Sequence, residues 1–355
     1  MHNFEPTKYF KFLYENKERI YSFRAESTEE WREWRKELRK ILVELLGGFD
    51  YSETPLNPVK IEEKEYDYYI REKIIYSTDE FSDVPAYVLR PKKIYGRLPA
   101  VLALHGHGYG KDEITGIWDD GTERKKPISR GYQKDFALEL VKRNMIVIAP
   151  DQAGFGERRE KKDKSRGPGR SSCWQLSTWA LLYGKTTLGK RVWDALRTVD
   201  YLINRNDVDS ERIGIMGISG GGTVTTFSAA IDDRIKAVVI SGYLNTFKDS
   251  ILSIDHCIDN YIPGILKYAE MYDVACLIAP RPLLIEHGTK DPIFPFKATL
   301  RAFNVLKKAY SLFNAEHLLE SDFFEGKHEI SGRKSYDFLK KWLYSDIILK
   351  ISEIK

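Results

Sequence analysis

From Leu98 to Tyr344 short apolar runs alternate with helical stretches, and this alternation constrains the fold more than any other feature of the chain. Leu98 to Leu104, Met145 to Ala149, Arg212 to Met216, Ile235 to Ile240, Pro282 to Glu286 and His317 to Phe324 have strand length and strand composition. Between them, Gln133 to Arg143, Leu188 to Asn204, Thr223 to Ala230 and Lys297 to Ala309 read as helices, and Ser335 to Tyr344 as the closing helix. In the Leu188 helix, Val192, Trp193, Leu196, Val199 and Leu202 share one face. Such alternation implies an α/β protein with a mostly parallel sheet covered by helices on both faces. Upstream, Tyr66 to Ser77 and Val84 to Arg90 read as an antiparallel pair joined by the polar turn Asp79 to Asp83. The expected sheet therefore has eight strands with an antiparallel start. Three long connections, at about 109–132, 151–189 and 243–279, leave strand C-terminal ends, where open α/β sheets bind ligands.

Residues 1–60 form a different unit, expected to be a helical extension packed on a catalytic domain over 61–355. Ser27-Thr28-Glu29-Glu30 is a capping box. Trp31, Trp34, Leu38, Ile41, Leu42 and Leu45 then recur at helical spacing until Gly47-Gly48 stops the helix. That apolar stripe must be covered, by the main domain or by a second copy in a homo-oligomer. The 355 residues are 42% hydrophobic and 13% aromatic, ample for a large core, and the formal net charge is only +4. Neither nucleic acid nor a membrane is the expected partner. No apolar run reaches membrane-span length, Met1 to Pro6 lacks the layout of a signal peptide, and Cys173, Cys257 and Cys276 show no CxxC spacing. These features point to a soluble cytoplasmic protein. Abundant Lys, Glu, Ile and Tyr with only Gln133, Gln152 and Gln175 as glutamines is a composition of thermophiles.

The chemistry centres on Gly217-Ile218-Ser219-Gly220-Gly221, where an apolar strand runs into a small-residue helix. This is the pattern of a strained turn that displays a serine nucleophile, with Gly217 and Gly221 removing clashes on either side. A serine needs a base, and the base needs an orienting acid, following in the order Ser, Asp or Glu, His. Asp291 lies in a turn just past the Pro282 strand, and His328 lies in a Gly-containing loop past the last strand. The developing oxyanion needs two donors. One is the amide of Gly220; the other comes from His105-Gly106-His107-Gly108, with His107 the first choice and Gly108 the alternative. His105 and His107 lack placed acidic or thiol partners, so no metal is expected. Gly108, Tyr109, Trp118, Asp151, Trp174 and Tyr261 are the candidate substrate-pocket residues.

With these residues in place the chain resembles an α/β-hydrolase from about Tyr66 to Tyr344, in the branch of dienelactone hydrolase-like and acetyl xylan esterase-like proteins. The resemblance rests on His105-Gly106-His107-Gly108, Gly217 to Gly221, the Asp291 turn and Lys327-His328-Glu329. It implies the eight-stranded hydrolase sheet and serine ester hydrolysis without a cofactor, on a small-molecule or carbohydrate ester with a short acyl group such as acetyl. The chain departs from those relatives at several positions. Ser219 stands where dienelactone hydrolases carry cysteine, and Gly220 where related acetyl xylan esterases carry Gln. Asp151-Gln152-Ala153-Gly154 stands in place of their Arg-Gly-Gln segment. A peptidase or lactonase of the same fold, and a hydrolase-fold protein that binds without turnover, are the other readings.

Overall fold

The computed structural model describes residues 4–50, 54–124 and 131–347, so 125–130 of the first long connection lie outside the described residues. Two helices come first, α1 (Thr7–Asn16) and α2 (Thr28–Leu45). The strands are β1 (Val59–Glu65), β2 (Tyr69–Asp79), β3 (Ser82–Pro91), β4 (Leu98–Leu104), β5 (Ile146–Pro150), β6 (Val208–Ile218), β7 (Ile235–Ser241), β8 (Leu283–Gly288) and β9 (Leu319–Phe324). Between β4 and β6 lie α3 (Lys111–Ile114), α4 (Phe136–Val141), α5 (Lys161–Lys164), α6 (Cys173–Leu182) and α7 (Thr187–Ile203). After β6 come α8 (Gly220–Ile231), α9 (Met271–Cys276), α10 (Phe296–Ser311) and α11 (Ser335–Leu343).

The sheet has nine strands in the order β1-β2-β3-β5-β4-β6-β7-β8-β9, one more than expected. The β1/β2, β2/β3 and β3/β5 pairs are antiparallel, and the rest are parallel. β1 is the addition. It reads Val-Lys-Ile-Glu-Glu-Lys-Glu, is exposed throughout, and adds to the free edge of β2. Its charges suit an edge strand, because they discourage pairing with another chain. The expected boundary at residue 60 falls inside it.

Every residue of β4, β5, β7 and β8 is buried, which requires cover on both faces. α7 and α8 pack over β4, β6 and β7, while α4 and α11 cover β3, β5 and β6 to β8. The strand order reverses at β4, which pairs with β5 on one side and β6 on the other. Leu104 is opposite Gly217, so the loops leaving β4 and β6 emerge side by side.

α2 starts as its capping box dictates. Ser27 Oγ accepts from the Glu30 amide at 3.2 Å, while Glu30 reaches back one residue further, to the Glu26 amide at 2.9 Å. Its stripe is used inside the chain: Trp31, Leu38 and Leu42 are buried, and Trp34, Ile41 and Leu45 are half-buried. Trp31 stands edge-on to Phe313 with ring centroids 4.9 Å apart. Each such side chain contributes about 1.5–3 kcal/mol by leaving water. Arg35 and Arg39 both pair with Asp233, fixing the helix beside the end of α8.

Candidate active site

β6 runs straight into α8, and Ser219 stands at the joint with φ +57° and ψ −122°. A residue with a side chain holds such a conformation only where its surroundings enforce it. The Ser219 amide donates to Ser241 O of β7 at 3.0 Å, and Ser219 O accepts from the Thr223 amide at 2.9 Å. A Cβ on Gly217 would lie 2.3 Å from Gly221 O, and one on Gly221 only 2.1 Å from Leu104 O. Nothing larger than hydrogen fits at either position. As the N-cap of α8, Ser219 also faces the positive end of that helix.

Asp291 and His328, 37 residues apart, meet beyond β8 and β9. Asp291 Oδ2 lies 2.7 Å from His328 Nδ1, while Oδ1 accepts from the Ile293 and Phe294 amides at 2.8 and 3.0 Å. Burial pushes the Asp291 carboxyl up, but the hydrogen bond and charge of His328, with the two amides, outweigh burial and hold it below the usual carboxylate range. The imidazole is clamped between Tyr132 and Phe294, both stacked on it with centroids 5.6 Å away. Its loop is pinned from below. Glu286, fully buried on β8, accepts from the Gly332 amide and from Ser335 Oγ, each at 2.9 Å, and from Ser241 Oγ at 2.8 Å. The other ring nitrogen, His328 Nε2, is buried and has no hydrogen-bond partner among the described residues. The ring's Cε1 is 3.1 Å from the point where a Gly242 Cβ would stand, next to the Ser241 that holds Ser219. The same strand end thus brings Ser219 and His328 together, although no hydrogen bond joins them; in ligand-free sites such bonds are often long.

The loop after β4 crosses over the serine. A Cβ on Gly106 would be 3.2 Å from Ser219 Cβ. The Gly106 amide donates to Gln133 Oε1 at 2.7 Å, and Tyr132 Oη donates to His107 O at 2.7 Å. His107 Nδ1 lies 3.1 Å from the Cβ position of Gly220, so the two segments expected to supply oxyanion donors are neighbours. His105 is different. Its Nε2 accepts from the Gln152 amide at 3.1 Å and its Nδ1 is 2.8 Å from Gly106 O. Burial pushes its pKa down to about 4, which makes it a neutral structural residue.

The expected pocket residues divide. Gly108 and Tyr109 stay in the loop beside the serine, where the Tyr109 amide donates to Glu113 Oε2 at 3.2 Å. Tyr261 is partly exposed in the connection after β7, its hydroxyl donating to Ile251 O at 3.2 Å. Asp151 is not a pocket residue: it is fully buried, paired with Lys111 Nζ at 2.9 Å and capped by the Lys111 and Glu157 amides at 2.8 and 2.9 Å. Trp118 packs within its own loop under the Arg124 guanidinium. Trp174 is 71% exposed and lines a separate hollow of about 640 Å³ with Lys162, Arg166 and Arg170. A larger hollow of about 880 Å³, lined by Arg197, Asp200, Arg205 and Arg234, is at the opposite end of β6 from Ser219.

Tyr132 and Phe294 carry no local pattern that marks them, and sequence reading missed them. It also missed a buried group beside His107. His107 Nε2 is 3.3 Å from Asp259 Oδ2, which accepts from Arg191 Nη1 at 2.6 Å and from Cys173 Sγ at 3.2 Å. Burial pushes the His107 pKa down, but the Asp259 charge more than reverses this and lifts it to about 9.

Residues 9–340 match the Abhydrolase family. The chain is 30% identical over 325 residues to the "Putative hydrolase YtaP" of Bacillus subtilis, covering 87% of this chain and all of that one. It is 25% identical over 308 residues to a "Putative carboxymethylenebutenolidase" of Salmonella typhimurium, covering 83% of this chain and 94% of that one. Among solved structures, a "putative acetyl xylan esterase" from Bacteroides fragilis superposes with a TM-score of 0.77 at 20% identity, covering 95% of this chain and 90% of that one. A glucuronoyl esterase from Solibacter usitatus does so with a TM-score of 0.66 at 14% identity, covering 90% and 94%. At these identities the structures speak for the shared fold. The strained serine turn, the nine-stranded sheet and the match over nearly the whole chain converge: this chain belongs to the Abhydrolase family and has the α/β-hydrolase fold.

Proposed function

We propose that the protein is a serine ester hydrolase acting on short-chain, acetyl-type esters of small molecules or carbohydrates. The observation that carries this reading is the Asp291 Oδ2–His328 Nδ1 contact of 2.7 Å, with Nε2 left unpartnered at the strand end that presents Ser219. The ionised Asp291 fixes the imidazole so that Nε2 is the basic nitrogen. Ser219 Oγ attacks the ester carbonyl while His328 Nε2 takes its proton. The amides of Gly220 and His107 receive the oxyanion. The tetrahedral intermediate collapses, the alcohol leaves with the proton from His328, and an acyl-Ser219 remains. Water, deprotonated by His328, then releases the acid and restores the serine. The names of the similar proteins, acetyl xylan esterase and glucuronoyl esterase, support an ester as the substrate class.

The test is hydrolysis of p-nitrophenyl acetate, butyrate and octanoate by the wild type and by Ser219→Ala, with an amide and a lactone beside them. Turnover that declines with chain length and drops by about 10⁴-fold or more in the variant is the expected result. Ester turnover that survives the substitution, or activity confined to the amide or lactone, would overturn it.

A further inference from the structure

Four side chains from three separate connections converge behind the loop that follows β4. His107 comes from that loop, Cys173 opens α6, and Cys257 and Asp259 come from the connection between β7 and α9. One ligand atom from each lies within 4.8 Å of all the others. A tetrahedral Zn²⁺ with bonds of about 2.0–2.3 Å holds its ligand atoms roughly 3.3–3.8 Å apart, so the four need only close in slightly. His107 Nε2 is buried and, though 3.3 Å from Asp259 Oδ2, is not aligned to hydrogen-bond with it or with any other described residue. It points into the cluster, with the Asp259 carboxylate as its neighbour. The reason for expecting no metal was the lack of acidic and thiol partners near His105 and His107. The fold supplies them to His107 and uses up both nitrogens of His105 elsewhere.

We propose that His107, Cys173, Cys257 and Asp259 form a four-coordinate site for a thiophilic divalent cation of the Zn²⁺ type. Two thiolates and a sulfur-compatible imidazole select such a cation over Mg²⁺ or Ca²⁺, which demand oxygen ligands. The charges balance. Two thiolates and one carboxylate carry three negative charges, Arg191 returns one positive, and a divalent cation neutralises the remainder. Arg191 has the place of an outer partner, with Nη1 2.6 Å from Asp259 Oδ2 and Nη2 3.2 Å from Cys173 Sγ. Nε and Nη2 also donate to Ala153 O, at 3.0 and 2.9 Å. Asn260 Nδ2 donates to Asp259 Oδ1 at 2.7 Å and so turns Oδ2 toward the cluster. Phe155 walls the site, edge-on to His107 with centroids 5.0 Å apart. Four protein ligands make a closed, structural site. The cation ties two long connections to the loop over Ser219 and acts as a positioning element, whatever bond the enzyme cleaves.

Cobalt provides the test. The full chain, reduced and stripped of metal, is titrated with Co²⁺ and its absorption recorded. Expected are one tetrahedral Co²⁺ per chain with a near-ultraviolet thiolate-to-metal band, displacement by Zn²⁺, and loss of about half that band in Cys257→Ser. Cys257 is only half-buried, so this variant is the one expected to fold; circular dichroism checks it. A Cys173→Ser, Cys257→Ser double variant should lose the band entirely. Absence of the band in a wild type whose thiols titrate as free overturns the proposal. So does an unchanged band in Cys257→Ser. So does metal-free protein isolated without reductant in which Cys173 and Cys257 are joined as a disulfide, which would make them a redox pair instead.

Discussion

Gly221 leaves no room for a methyl group. Its Cβ would meet Leu104 O at 2.1 Å and His105 O at 2.6 Å, both backbone atoms where β4 runs into the loop over Ser219. Gly221→Ala should therefore cost at least the ~1–3 kcal/mol of an overpacked site and abolish ester turnover, because Ser219 and the loop are displaced together. Gly169→Ala, where a Cβ meets nothing within 4 Å, is the control and should be silent in both thermal melts and kinetics. Asp291→Asn asks a finer question. Oδ1 can still accept the Ile293 and Phe294 amides, but an amide group facing His328 Nδ1 forces the proton onto the wrong nitrogen. The expected result is a fall in kcat of about 10³–10⁴-fold with the melting temperature and KM little changed. A loss mainly in KM or in stability would assign Asp291 a packing role. These residues are the ones the sequence shows best. Ser219, Asp291 and His328 each follow a strand in a fixed order, and glycines mark the turn. Tyr132 and Phe294, which clamp the imidazole, are ordinary aromatics until the chain folds, because stacking across 196 and 34 residues of separation leaves no local signature.

Elements were legible where burial imposes a period. The central strands and the long helices α2, α7 and α10 lie within a few residues of where their apolar spacing puts them. β1 has no such period, since neither face is buried, and its charged sequence conceals a strand that only the free edge of β2 reveals. The short α9 shows what an element end can do for stability. Its cap, Glu270 with Asp273, is buried where the N-terminal extension docks. Asp273 Oδ1 accepts from the Phe23 amide at 2.9 Å and Oδ2 from the Glu270 amide at 2.7 Å. Burial dominates and pushes the Asp273 pKa up to about 7; the two amide bonds oppose it and the neighbouring Glu270 adds to it. A carboxyl with a raised folded-state pKa keeps its proton longer in the folded chain than in the unfolded one. Its stabilising effect is full below about pH 4 and is lost as pH rises to about 7, an effect on the order of 4 kcal/mol at most. Asp273→Asn removes the titration. The melting temperature of the wild type minus that of the variant should shrink from pH 4.5 to pH 7.5, and parallel curves would show that Asp273 ionises normally.

The whole molecule is a sheet whose long connections contact one another through His107, Cys173 and Asp259, while the N-terminal extension is bonded to the third of them and α2 packs on α8. The sequence located those connections by their length, but not their mutual contacts, which arise only once β4, β6 and β7 stand side by side. The same holds for the N-terminal extension. Its apolar stripe asked for a partner, and the partner is this chain. Trp31 Nε1 donates to Cys276 O at 3.4 Å, Arg35 Nε to Leu277 O at 3.2 Å, and Tyr14 Oη to Glu270 Oε2 at 2.8 Å. Leu46 O accepts from Thr186 Oγ1 at 3.0 Å, linking the end of α2 to the start of α7. A chain beginning at Thr54 would expose the surface that Trp31, Leu38, Leu42 and Leu46 now cover and would leave the Asp273 carboxyl without its Phe23 donor. A contiguous exposed apolar patch of this kind is an aggregation liability. Expressed alone, the shortened chain should partition into the insoluble fraction or elute as aggregate on size exclusion, while Leu38→Ala in the full chain should lose about 2–5 kcal/mol yet keep its kcat. A soluble, monomeric and fully active shortened chain would mean instead that the hydrolase core is complete without its extension, and that α1 and α2 serve a purpose other than covering it.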